Sequence, residues 1–220
     1  MEASSFTDLF APDSGLQQAM VLPPTICSKD ALSVSGIVAG AVHECTPVLV
    51  NGSGLEAKQS WLKAAARIAS ENNNGRTLLA HTLIAGASAY FQLDDVLADF
   101  DIWSSLVFAG KEMPQDVGSL PPNAKATDRS AAKFELAFSY ASNVRRFFST
   151  GEGKIGLGPS MMQPSDQVVI LHGGKTPFIL RPVDFGHKLL GQCYVHGIMQ
   201  GEAVQEQRSK LKFSLRFRLR

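Results

Sequence analysis

The chain has 220 residues, 45% of them hydrophobic and 19% charged, with a formal net charge of +1. That excludes a disordered or polyelectrolyte chain, and the length suffices for one domain or two small ones without disulfide or metal staples. Cys27, Cys45 and Cys193 are odd in number, far apart and without a C-x-x-C pair, so a disulfide framework and a zinc ribbon are both unsupported and a reducing, cytoplasmic setting fits.

Residues 1–30 carry Glu2 and Asp8 where a secretory leader would be basic, and they read as a loosely held arm ending at Pro23-Pro24. The most apolar window, ALSVSGIVAGAV at 31–42, is far short of the roughly 20 residues a membrane-spanning helix needs. No membrane association is expected. Val34, Ile37, Val38 and Val42, with Gly36 and Gly40, predict one or two short strands with a bend, closed by Pro47. From Leu55 the period changes. Trp61, Leu62, Ala65, Ile68 and Ala69 form one apolar stripe of a helix that ENNNG stops at Gly75. A second helix holds Leu78, Leu79 and Leu83, and a third holds Leu93, Val96, Leu97, Phe100 and Trp103. A Pro-rich connector at 111–127 precedes a fourth, marked by Phe134, Ala137, Phe138 and Ala141 and running to about Asn143.

Beyond Val144, short apolar runs separated by GEG, GLGP, QPSD, HGGKTP and DFG recur at hairpin spacing. The tail KLKFSLRFRLR alternates strictly, with Leu211, Phe213, Leu215, Phe217 and Leu219 on one face. Basic residues fill the other face, which predicts an edge strand. The expected class is α+β: an arm at 1–30, a strand pair and mainly helical region at 31–143, and a β-rich domain at 144–220. The helical segment is expected to pack on a small antiparallel sheet or barrel.

Several stretches look chemical. Gly151, Gly153 and Gly156 spell GxGxxG, but Gly158-Pro159 follows where a helix should start, so a hairpin turn is expected at TGEGK. HGGKT lacks the first glycine of a nucleotide loop, since Val169 stands there, and Pro177 removes a needed N–H; a tight turn is expected. Arg208, Lys210, Lys212, Arg216, Arg218 and Arg220 place six positive charges in 13 residues. They suit a nucleic-acid contact, yet aromatic residues alternate inward instead of standing beside them. A nucleic-acid partner is not the favoured reading. GQCYVHGIMQGEA, 191–203, suggests a Cys-His-Glu site, but a strand over 189–199 would turn Cys193 and His196 to opposite faces. Cys193, Val195 and Met199 would then face a core, with Tyr194 and His196 sharing the other side. His172, His187 and His196 remain conceivable zinc ligands only if they converge in space. Arg181, between strand residues and Pro182, suits a bidentate carboxylate pair with Asp166, Asp184 or Glu202.

Residues 145–204 closely resemble the C-terminal part of fungal heterokaryon-incompatibility (HET) proteins. The resemblance rests on RRFFST (Arg145 and Arg146 at its head), GLGP (Gly156, Gly158 and Pro159), SDQV, PFILRP (Arg181 and Pro182) and GQCYVHGIMQGE (Tyr194, His196, Gly197, Gly201 and Glu202). Weaker similarity reaches back to residue 31 through LSVSG, RTLLAHTLIAG and FDIW. Family members usually have Gly where this chain has Ser165, and Asp where it has Gln200. The family's defining N-terminal domain, with motifs of the kind SYxWG and DxxCINQ, resembles TIR-like folds associated with NAD cleavage and cell death, and residues 1–30 show no counterpart. The resemblance therefore implies a non-enzymatic accessory half, without cofactor or metal, whose partner is another protein, a HET effector domain or a second copy. The residues just named are its structural or binding candidates. The competing readings are an enzyme using Glu202, His196 or Cys193, NAD-cleaving or hydrolytic, and nucleic-acid binding by the basic tail.

Overall fold

The computed structural model describes residues 25–28, 31–114, 117–209 and 214–220. Their order is β1 (Thr25–Ser28), β2 (Ala31–Cys45), α1 (Leu55–Ala69), α2 (Gly75–Leu83), α3 (Val96–Phe108), a 3-10 turn (Val117–Ser119) and α4 (Ala126–Ser142). There follow β3 (Arg145–Thr150), β4 (Ile155–Pro159), β5 (Gln167–Leu171), β6 (Phe178–Val183), β7 (Gly186–Gln192), β8 (Tyr194–Val195), α5 (Glu202–Ser209) and β9 (Leu215–Leu219). The class is α+β, as the sequence predicts. Two compact units divide the chain. The helical unit is Thr46–Phe148 with Ile155–Ser160; the β unit takes the described residues up to Cys45, Ser149–Lys154 and the chain from Met161 onward.

In the helical unit, periodicity translates directly into burial. All five stripe residues of α1 are buried. The first helical turn of α3 is fixed by Asp95, whose carboxylate accepts from the N–H groups of Leu97 and Ala98 at 3.1 and 3.0 Å; this cap starts the helix at Val96, leaving Leu93 buried just ahead of it. The core is aromatic. Trp103 lies 4.9 Å from Phe134 and 4.8 Å from Phe138, and Trp61 meets Phe138 and Phe147 edge-on at 6.0 and 6.4 Å. Burying each such side chain contributes roughly 2–3 kcal/mol.

The β unit is organised by β2. Where one or two short strands were expected, the structure has a single strand of 15 residues, with its register shifting between Val38 and Gly40. It serves two neighbours: Gly36–Ala41 pair antiparallel with β5, and Leu32–Gly36 pair antiparallel with β9. Gly36 pairs with both Leu171 and Leu215, and a Cβ there would stand 2.5 Å from the Ile170 carbonyl oxygen, so only glycine permits this approach. Successive hairpins join β5 to β6 and β6 to β7, and β7 reaches β9 through a parallel bridge, His187 to Leu219. The ring β2-β5-β6-β7-β9 thus closes on itself. Val169, Leu171, Leu180 and Phe217 fill it, with Val34, Val38, Phe178 and Leu219 packed against them.

Closure corrects the reading of the tail as an edge strand: β9 lies between β2 and β7. Phe217 points inward, 2% exposed, while Arg216, Arg218 and Arg220 are exposed. Lys210, Leu211, Lys212 and Phe213 lie outside the described residues, and so does the side chain of Arg208. A second correction is α5, within the stretch read as β; Glu202, Ala203, Gln205, Glu206 and Arg208 are strong helix formers that the strand pattern around them obscures. Among the described residues no helix is long and apolar enough to cross a membrane.

Candidate functional site

The glycine loops resolve into turns. In TGEGK, Thr150 N–H donates to the Lys154 carbonyl at 2.8 Å, between β3 and β4. In HGGKT, Gly174 N–H returns to the Leu171 carbonyl at 3.0 Å, joining β5 to β6. Gly156 and Gly158 are buried within β4, which Pro159 ends. At the head of β3, Arg146 donates from Nε to the Ser160 carbonyl at 2.7 Å and from Nη1 to the Thr46 carbonyl at 2.9 Å. Its guanidinium ties three chain segments of the helical unit. Arg145 bridges to Leu49 through its backbone, accepting from the Leu49 N–H at 3.1 Å.

In the β unit, Arg181 on β6 chooses Asp166 from its three candidate mates. Nε and Nη2 donate to the two carboxylate oxygens, each at 2.8 Å, and Nη2 also reaches the Met161 carbonyl at 2.7 Å. Asp166 is 1% exposed and accepts a further bond from the Gln163 N–H at 2.8 Å. The hydrogen bonds to Asp166 raise the Arg181 pKa above its ordinary value. The turn that delivers Asp166 has Ser165 at φ 73, a left-handed conformation that explains the family's usual glycine there.

The signature stretch is brought together only in part. The strand expected over 189–199 is interrupted at Cys193 and ends at Val195; Gly197, at φ 80, turns the chain just beyond it, and Met199 and Gln200 form a further turn. Cys193, Val195 and Met199 are buried, and so is Tyr194, at 4% exposure. Tyr194 Oη lies 3.2 Å from His196 Nδ1. Burial first, and the nearby Glu202 charge second, push the Tyr194 hydroxyl well above its ordinary pKa, so the phenol stays protonated and serves as a hydrogen-bonding group. Glu202, in the first turn of α5, accepts from the Gln200 N–H at 2.7 Å; Gly201 between them sits at φ 90. Pro182 lies on β6 opposite His187.

The three histidines go to different neighbours. His172 Nε2 is 3.3 Å from Ser214 Oγ, His187 meets the Phe217 ring at 5.2 Å, and His196 meets Tyr194. Among the described residues no three His, Cys, Asp or Glu side chains form a metal-ligating group.

Sequence reasoning missed the most buried charge among the described residues of the helical unit. Glu135 on α4 is 1% exposed. Its Oε1 accepts from Lys58 Nζ at 2.7 Å and Ser139 Oγ at 3.0 Å, and its Oε2 from Trp103 Nε1 at 2.7 Å. The signal was available: Glu135, Ser139 and Ser142 recur at i, i+4 and i+7 beside the Phe134-Phe138 stripe, a polar row where an apolar face continues. Lys58 and Glu135 form part of the wall of a cleft of about 280 Å³.

Comparison with known proteins agrees with these motifs. Residues 60–215 match the model of the Het-6 beta-barrel domain. Over 62 residues the chain is 42% identical to heterokaryon incompatibility protein 6, OR allele, of Neurospora crassa, an alignment that covers 26% of this chain and 9% of that protein. The chain thus matches less than a tenth of that relative's length. No solved structure matches. With its closed β ring and a family match over most of its length, the chain belongs to the Het-6 beta-barrel domain family.

Proposed function

We propose that this chain is a non-catalytic accessory domain of the fungal heterokaryon-incompatibility system, acting through protein contacts in the cytoplasm, in nonself recognition and the cell death that follows. The observation that carries the reading is the Arg181–Asp166 fork: the most chemically suggestive charged pair of the shared motifs binds its own turn and strand. The competing catalytic residues are similarly engaged. Cys193 is fully buried, His196 Nδ1 lies 3.2 Å from the Tyr194 hydroxyl, and Glu202 is bonded to a backbone N–H. Three cysteines, odd in number, far apart and without a C-x-x-C pair, suit a reducing compartment. Its partner is a HET effector domain or another protein of that system. Incubating the purified chain with NAD and measuring nicotinamide release tests the reading. Release should not exceed the blank, and turnover that Glu202→Ala abolishes would overturn it.

A further inference from the structure

Phe185 breaks two rules at once. It is the second residue of the two-residue loop between β6 and β7, where its φ of 64 is a conformation natural to Gly or Asn, and its side chain is 82% exposed, the most of any large hydrophobic residue described. Neither local backbone preference nor burial explains an aromatic residue there, and strained, exposed outliers of this kind point to function. Val183, at the foot of the same loop, is 41% exposed. Asp184 is exposed in the same loop, and two cations beside it leave the surround of this knob net positive. Lys188 and Arg218 are exposed, and Arg218 packs directly under the loop, its Cβ 3.6 Å from where a Cβ on Gly186 would lie. None of the ion pairs among the described residues engages Lys188 or Arg218.

The helical unit carries a matching hole. A cleft of about 300 Å³ is lined mainly by Pro47, Val48, Val50, Ala57, Trp61 and Ala64. That is room for one aromatic side chain, and Val50 at its mouth is 50% exposed. Glu56, next to Ala57 on α1, and Glu112, in the wall of the adjoining cleft, are exposed acids. Lys58 is neutralised by Glu135, and Lys63 turns to the Phe108 ring at 5.9 Å. We propose that copies of this chain associate by seating the Phe185 loop of one, collared by Lys188 and Arg218, in the apolar cleft along α1 of another, near Glu56 and Glu112. Knob and hole belong to different units of the chain, so the contact pairs unlike patches and is heterologous. This rests on the protein-contact reading and narrows the partner to a second copy; it is read by association, not by turnover, so either can fail alone.

Sedimentation velocity over a wide range of protein concentration, at low and high salt, tests it. The wild type should show concentration-dependent association, weaker at high salt. Phe185→Ser should weaken it by about thirty-fold or more, as loss of a central anchor does. Ala57→Trp, which fills the hole, should do the same, and mixing the two variants should restore association through the one intact knob and the one intact hole. Phe185→Gly should abolish association while holding or raising the melting midpoint. A wild type that stays monomeric at all concentrations, variants that associate like it, or a Phe185→Gly midpoint that falls would each overturn the proposal.

Discussion

Among the described residues each unit buries one carboxylate against one cation, but the supports differ. In the helical unit Glu135 is held by side chains from α1, α3 and its own α4: Lys58, Trp103 and Ser139. In the β unit Asp166 is held by one guanidinium and by the backbone of its own turn. The first is a long-range staple among helices, and the second closes a local corner. Removing the first acceptor strands donors on separate helices; removing the second donor leaves a carboxylate that still has a backbone bond. A buried ion pair is poor evidence of net stability, yet breaking one side of it is costly, because the partner stays behind without solvent.

The comparison can be broken directly. Glu135→Ala should cost about 3–5 kcal/mol, measured as a lowered urea midpoint, since it leaves the Lys58 ammonium and the Trp103 N–H without their acceptor. Arg181→Ala should cost less, about 2–3 kcal/mol, because Asp166 keeps the Gln163 N–H while no buried donor is left without an acceptor. Arg181→Lys should recover under half of that, since an ammonium cannot reproduce the fork from Nε and Nη2. Equal losses for Glu135→Ala and Arg181→Ala would erase the distinction between staple and corner.

The two units were also unequally legible. Helix positions followed from the 3.6-residue period, and the stripe from Trp61 to Ala69 is buried as its spacing predicts. Glu135 escaped notice because a charge on an apolar face carries no label of its own partners, which lie 77 and 32 residues away. In the β unit the strands could be read but not their neighbours. Nothing in KLKFSLRFRLR shows that Leu215–Leu219 insert between β2 and β7, and nothing local shows that β2, from the start of the chain, joins strands from its end. Pairing partners depend on closure of the ring, which no short window contains. Arg181 was legible because a strand arginine before proline announces a bidentate role, although Asp166, Asp184 and Glu202 could be separated only in space. Phe185 was read as part of a DFG turn; its exposure and its φ are visible only in three dimensions.

A smaller effect separates the units by pH. The buried Tyr194 of the β unit has its pKa raised above the ordinary 10.0. Below that value both folded and unfolded chains hold the proton, and its contribution to stability is constant. Above it the unfolded chain loses the proton first, so stability should fall by about 1.4 kcal/mol per pH unit until the folded-state pKa is passed. Urea midpoints taken from neutral pH upward should drop above pH ~10, and Tyr194→Phe should reduce the slope. An unchanged slope in Tyr194→Phe would mean that other groups set the alkaline limit.

The smallest expected effect concerns a single dihedral angle. Ser165 holds φ 73 while its N–H donates to the Val42 carbonyl at 2.8 Å, and Asp166 N–H returns to Gln163 at 3.2 Å. A left-handed conformation costs an L-residue about 1–2 kcal/mol, whereas glycine loses roughly 0.5–1 kcal/mol more chain entropy on folding. The difference favours Ser165→Gly by about 0.5 kcal/mol, or roughly 1–2 °C in melting midpoint for a chain of this length. The side chain is exposed, so little packing offsets the gain. The helical unit offers the contrast: Ala85 has φ 50 but is 1% exposed, so Ala85→Gly would relieve its angle while removing a packed methyl and should gain nothing. If Ser165→Gly instead lowered the midpoint, the corner under Asp166 would depend on the serine hydroxyl, and the backbone angle would not be what the family's glycine supplies.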